Sequence, residues 1–318
     1  MVTFRSVTAG VIAPVLLVFS TIAANATTIT TVSPSAATAA ALATATLATA
    51  SGITIVSGTE AYIGADGQGG TYSGFSVTNG TTTIENADGV LLTTGVGDVP
   101  LTNTETSYDN NSSGTPPFPG TGANAQLAAV LAANSMASNT NDQNVLSFSF
   151  TVDPGVTSVS AGFVYGTEEY PSQGVTDIFG LFIDGVNYAK FPDGSLISYV
   201  NGSASSGFYN DNTFGITAPF DLEYNGITDN LAITGILNSN LLEHTFVLAI
   251  ADTQDTVYDS GVFFAGLTAG TDASGGGIAP QMPVVPLPSS FVIMLTGLAG
   301  IGAYARRKKA KAHRHAMS

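Results

Sequence analysis

The sequence has no cysteine, no tryptophan and only three histidines among its 318 residues. Without cysteine there is no disulfide scaffold, no cysteine zinc site and no thiol nucleophile. Basic residues are nearly missing too, with 8 Lys and Arg against 23 Asp and Glu, for a net charge of −15. Such a balance excludes the basic face that nucleic-acid binding requires. Charged residues reach only 10%, against the roughly 25% of ordinary soluble domains.

The few basic residues sit at the ends. Arg5 lies at the N-terminus, and Arg306, Arg307, Lys308, Lys309, Lys311 and Arg314 lie in the last thirteen residues. Between them, residues 27–285 hold all 23 acids and one lysine, Lys190, a net charge of −22. An acidic body with two basic ends implies separate work for the ends.

Arg5, the apolar run Val7 to Ala24 and the small residues Ala24-Asn25-Ala26 have the layout of a secretory signal cleaved after Ala26. An uncleaved anchor is the alternative; Pro14 within the run argues against it. At the other end, Val285-Pro286-Leu287-Pro288 precedes an uncharged apolar run, Phe291 to Ala305, and then the basic cluster from Arg306. As a helix, 291–305 spans about 22 Å, short for a hydrocarbon core of about 30 Å. The basic cluster would stay on the cytoplasmic side.

This three-part tail resembles the bacterial PEP-CTERM sorting signal, in its variant with a Val-Pro-Leu-Pro motif; Ser289 stands where that variant often has Ala. The resemblance implies transient anchoring at the inner membrane and recognition by an exosortase-like membrane protease through Val285, Pro286, Leu287, Pro288, Arg306 and Arg307. The chain would then reach the cell envelope, the surface or the extracellular space.

The body has a β texture. Asn144 to Val152 alternates, with Leu146, Phe148, Phe150 and Val152 on one side and Val145, Ser147, Ser149 and Thr151 on the other. Similar runs occur at 53–56, 74–77, 158–165, 178–183, 231–237, 245–251 and 261–267. Turn dipeptides separate them, among them Asp66-Gly67, Asp88-Gly89, Asp184-Gly185 and Asn225-Gly226. The pattern predicts an all-β domain over 27–267, sandwich- or jelly-roll-like. Short helices are predicted at 36–50 and 123–137, and a Gly/Pro linker over 268–284 precedes the tail at 285–318.

The order of motifs in the body resembles the choice-of-anchor L domain of bacterial surface proteins. The likeness rests on Gly89-Val-Leu-Leu-Thr-Thr-Gly95, Phe163 to Pro171, Asp177 to Gly185, Asn225-Gly226 with Thr228, Ala249 to Asp252 and Asp259 to Phe263. Gly166-Thr167 replaces an Ala-Ser common in the family signature. The resemblance implies a secreted, surface-linked module of undefined biochemistry, and a non-enzymatic protein is the first expectation. Adhesion or association with exopolysaccharide is the role expected.

Carboxylates dominate the loops, and Asp252, Asp255 and Asp259 form the densest group. Calcium takes six to eight oxygen ligands, and an exported chain without disulfides gains from a stabilising metal. Glu169, Asp177, Asp252, Asp255 and Asp259 are the predicted ligands, although acids also simply solvate a surface. The alternative function is a secreted carbohydrate-active hydrolase, with Glu168 and Glu169 the tempting pair. His244 is the only histidine of the body and lies in a strand pattern with Phe246, Leu248 and Ile250. That placement suits a structural histidine better than a triad base.

Overall fold

Leu146, Phe148 and Phe150 alternate with Val145, Ser147 and Ser149 along one 13-residue strand. This alternation sets two differently covered faces of a sheet. The computed structural model describes residues 26–104, 121–172, 176–200, 202, 207–217, 219–272 and 276–278. The secretory signal up to Asn25, the loop at 105–120 and the whole sorting tail lie outside the described residues.

Two antiparallel sheets carry the fold. One is ordered β1 (Thr28–Thr31), β4 (Gly69–Ser73), β7 (Gly89–Thr93), β16 (Ser260–Gly270), β9 (Ser158–Thr167), β13 (Gly226–Thr228) and β12 (Tyr209–Asp211). Strand β14 (Leu231–Ile236) shares the β9 edge with β13 and carries β17 (Gly277–Ile278) outside it. The other sheet is ordered β11 (Val186–Asn187), β10 (Ile178–Ile183), β15 (His244–Thr253), β8 (Thr140–Val152) and β2 (Ile53–Ile55), with β3 (Ala61–Ile63) also on β8. A separate hairpin joins β5 (Ser76–Asn79) to β6 (Thr82–Glu85).

The main core lies where the inner faces meet. Phe163, Tyr165, Val262 and Phe264 from the first sheet pack with Leu146, Phe148, Phe150, Phe246 and Leu248 from the second. Phe246 stacks on Phe148 at 4.5 Å and meets Phe264 edge-on at 5.7 Å, so aromatic contacts join the sheets. Both outer faces are covered as well. Phe75, Val77 and Ile84 of the hairpin region close over Leu91, Val164 and Phe263. Helix α2 (Ala125–Ala133) lays Leu127 and Leu131 over Val145, Phe182 and Ala249. That covering explains why Val145, on the polar side of its strand pattern, is buried.

Both helices fall where expected and are shorter. Ser35 caps α1 (Ala36–Ala45) by accepting from the Thr38 amide at 3.0 Å, and Asn124 caps α2 through the Leu127 amide at 2.9 Å. The chain remains in the sheet beyond Leu267, because β16 runs to Gly270 and β17 pairs with β14. Asp88 and Asn225 lie in bends between strands, as expected, and the glycines after them already open β7 and β13. A Cβ on Gly89 would come within 2.1 Å of the Phe264 carbonyl oxygen, so this glycine serves close approach of backbones rather than a turn. Among the described residues, no helix is long and apolar enough to cross a membrane, and the expected helix at 291–305 lies outside them.

A buried carboxylate cluster as the candidate functional site

Antiparallel pairing brings six strand ends together. Ser260 pairs with Thr167 and Gly261 with Thr93, which places the ends of β7 and β9 beside the start of β16. In the facing sheet Ile178 pairs with Ala251 and Asp252 with Asn141. Glu168 and Glu169 therefore follow β9, Asp177 precedes β10, Asp252 ends β15, and Asp259 precedes β16. All five predicted ligands, Glu169, Asp177, Asp252, Asp255 and Asp259, collect at this end of the domain and act on one another electrostatically.

Burial separates this cluster from a solvated acidic surface. Asp177 and Asp252 are 0% exposed and Glu168, Glu169 and Asp259 are 1% exposed; Asp255 is half-buried at the rim. Among the described residues the basic side chains are Lys190 and His244, and the one ion pair is His244–Asp184, away from the cluster. Both oxygens of Glu169, both of Asp252 and Oδ1 of Asp177 lack a hydrogen bond of normal geometry. Buried polar atoms of folded proteins are almost always satisfied.

Hydroxyl groups form a partial second layer. Ser260 Oγ lies 2.5 Å from Asp177 Oδ2 and 2.8 Å from Thr167 Oγ1, and the Thr94 hydroxyl accepts from the Ser260 amide at 2.9 Å. Glu168 is held apart from its neighbour, since its carboxylate accepts from the Asn225 amide at 3.0 Å and from Asn225 Nδ2 at 2.7 Å. Asp259 sits against the backbone of Gly95, where a Cβ would fall 1.7 Å from its Oδ2.

The backbone around the site is bent to fit. The β15–β8 register shifts between Ile250 and Asp252, and Asp142 at this bulge has φ 42°. Bulges of this kind re-aim side chains next to functional sites. Gln254, just before Asp255, and Tyr258, just before Asp259, also have positive φ at 70° and 68°. Strained non-glycine residues concentrate at ligand sites because only the surrounding structure holds them.

Electrostatics follow from the burial. Loss of water, then Asp177, Asp255 and Glu168, push the Glu169 carboxyl up to about 10. Burial also raises Asp177 and Asp252 well above the usual carboxylate range, followed for Asp252 by repulsion from Asp177 and Asp259. Tyr165 and Tyr209 lie close enough that Asp177 adds to the effect of burial in raising their phenols. A carboxyl raised in the fold binds more protons there than in the unfolded chain. Its ionisation therefore weakens folding between its ordinary value of 4.5 and the raised one, by about 1.4 kcal/mol per pH unit. In chelator, the melting temperature is expected to rise on acidification from pH 8 to pH 5, the reverse of ordinary acid denaturation. A falling melting temperature over that range would contradict this electrostatic picture.

Three residues of the quoted motifs that ligand chemistry alone does not single out also shape the site: Thr94, Gly95 and Ser260. Their signal was position, since each belongs to a segment carrying the family likeness. Those segments are distant in sequence and meet at this cluster. Among the described residues, no three His, Asp or Glu side chains stand close enough around one point to make a finished metal sphere. His244 lies at the other end of β15, about 30 Å away at 3.3 Å per residue, with Nδ1 2.8 Å from Asp184 Oδ2. It is buried in β15, in line with its strand pattern. The sorting residues Val285 to Pro288, Arg306 and Arg307, and Ala24 of the cleavage site, lie outside the described residues.

No curated protein and no solved structure matches the chain. A family model does match, over residues 30–268, and its description is choice-of-anchor L domain. Those bounds enclose every strand from β2 to β15 and the whole carboxylate cluster. A choice-of-anchor domain marks an exported, cell-surface protein. The chain belongs to the choice-of-anchor L domain family.

Proposed function

We propose that this protein is a non-enzymatic component of the bacterial cell surface or extracellular matrix, acting by adhesion or by association with exopolysaccharide. Its N-terminal segment directs export. Its tail anchors it briefly in the inner membrane and presents Val285 to Pro288 and Arg306-Arg307 to an exosortase-like protease. The family match over residues 30–268 carries this reading.

The acid pair considered for sugar hydrolysis favours the same side. Glu168 is engaged by Asn225 and Glu169 is turned toward Asp177 and Asp255, and both carboxylates are buried. Glycoside hydrolysis needs two carboxyl groups flanking a bound sugar. Of the surface grooves, one of about 420 Å³ is lined by Tyr188, Lys190 and Phe191, and one of about 410 Å³ has Asp153 as its acid. Neither presents a carboxylate pair.

Fractionation of cells producing the full chain, or a chain ending at residue 284, tests the proposal. The full chain is expected at the surface with both ends removed, and the shortened chain in the periplasm or medium. In a strain lacking exopolysaccharide, the processed protein is expected to move into the medium. Intact protein in the cytosol would overturn the export reading, and unchanged surface retention would overturn the polysaccharide reading.

A further inference from the structure

Buried acids without counter-charge demand a partner. Desolvating one ionised carboxylate costs several kcal/mol after relaxation. Here Asp177, Asp252 and Glu169 are all 0–1% exposed, and Glu168 beside them is occupied by Asn225. Protons or a cation can relieve this, and three observations favour the cation. The five oxygens of Glu169, Asp252 and Asp177 that lack a hydrogen bond of normal geometry belong to side chains that act on one another electrostatically. Gly95 leaves room for Asp259 that any side chain would fill. Positive φ at Gln254 and Tyr258 is retained beside Asp255 and Asp259.

We propose that this end of the domain binds calcium through Glu169, Asp177, Asp252 and Asp259, with Asp255 at the rim. The donors are all oxygens, which suits a hard cation and not zinc or copper. Calcium fits better than magnesium. It accepts an irregular shell drawn from separate segments, whereas magnesium requires near-ideal octahedral geometry and gives up its water reluctantly. Without a cation, Asp177 and Asp252 engage each other and the buried acids retain protons, in keeping with the unfinished sphere; calcium would take the place of those protons. The ion would tie β9, β10, β15 and β16, and so both sheets, as disulfides do in other exported proteins. This site stands independently of the adhesion reading: either can fail alone.

The test uses the full chain, solubilised and freed of metal by chelator, then melted with calcium chloride, with magnesium chloride or with chelator. At calcium a hundredfold above Kd the midpoint is expected to rise by about 5–10 °C, with magnesium ineffective. Extracellular modules bind calcium with Kd of about 10⁻⁴–10⁻³ M, so millimolar titration by calorimetry should show a saturating heat. Asp252→Asn and Glu169→Gln each replace a carboxyl whose ionisation burial opposes by a neutral amide, and are compared at pH 8. In chelator they are expected to melt above the unaltered protein, and yet to lose the calcium response. A purely packing role for these side chains predicts the opposite order in chelator. Equal midpoints in calcium and chelator, or absent calorimetric heat, would overturn the proposal. Since calorimetry needs only the unaltered protein, a variant that failed to fold would not leave the question open.

Discussion

Gly95→Ala is expected to destabilise the folded domain by about 3 kcal/mol and to abolish any response to calcium. The added Cβ would lie 1.7 Å from Asp259 Oδ2 and 2.2 Å from its Cγ, well inside contact distance. The carboxylate has no free direction of retreat, because Asp259 is 1% exposed and its neighbours are the equally buried Asp177 and Asp252. Either Asp259 swings into those acids or the end of β7 shifts against β16. Gly207→Ala is the control, since a Cβ there meets nothing within 4 Å; its effect should stay within about 0.5 kcal/mol. Urea unfolding of both variants checks this, and equal stabilities would show that Asp259 does not rest on Gly95.

Gly166→Ala should be comparably damaging, by about 3 kcal/mol, and partly reversed by shortening Tyr224. Gly166 and Gly261 are paired across β9 and β16. Tyr224, fully buried, lies over both: a Cβ on Gly166 would meet its ring at 2.3 Å, and one on Gly261 its hydroxyl oxygen at 2.3 Å. The tyrosine fills the space two side chains would otherwise occupy. Tyr224→Ala alone should cost about 3–5 kcal/mol for the cavity. In the double variant the Ala methyl fills part of that cavity, so the two losses should sum to less, by about 2 kcal/mol. Strict additivity in a double-mutant cycle would sink this account.

Period-two alternation was a sufficient guide to the long strands. β8, β9, β10, β14, β15 and β16 all lie where apolar alternation or unbroken apolar runs place them, because each buries at least one face in a core. The short strands were not legible. β1, β12 and β17 have two to four residues, polar or glycine-containing, and β3 is only Ala61-Tyr62-Ile63; each is a strand only because a neighbour offers its free edge. Asp88-Gly89 and Asn225-Gly226 marked the breaks between strands, but not that their glycines already belong to β7 and β13. Glycine serves turns through positive φ and serves sheets through close approach, and composition does not separate the two uses.

The candidate site divides in the same way. Residue chemistry alone marked out Glu169, Asp177, Asp252, Asp255 and Asp259, since so many acids without basic partners leave few other ways to be held. Their convergence depends on which strand ends pair. A one-residue change in the β15–β8 register would turn Asp252 to the other face of its sheet. Burial, too, was invisible in advance. An acid in solvent and an acid sealed beneath Thr94, Gly95 and Ser260 read identically as letters. By itself the chain specified an acidic, cysteine-free β domain between two basic ends, because composition and alternation are local properties. Tertiary structure alone decided that the acids near Asp252 lie out of water beside one another, because desolvation and repulsion arise only when distant segments close around the same small volume.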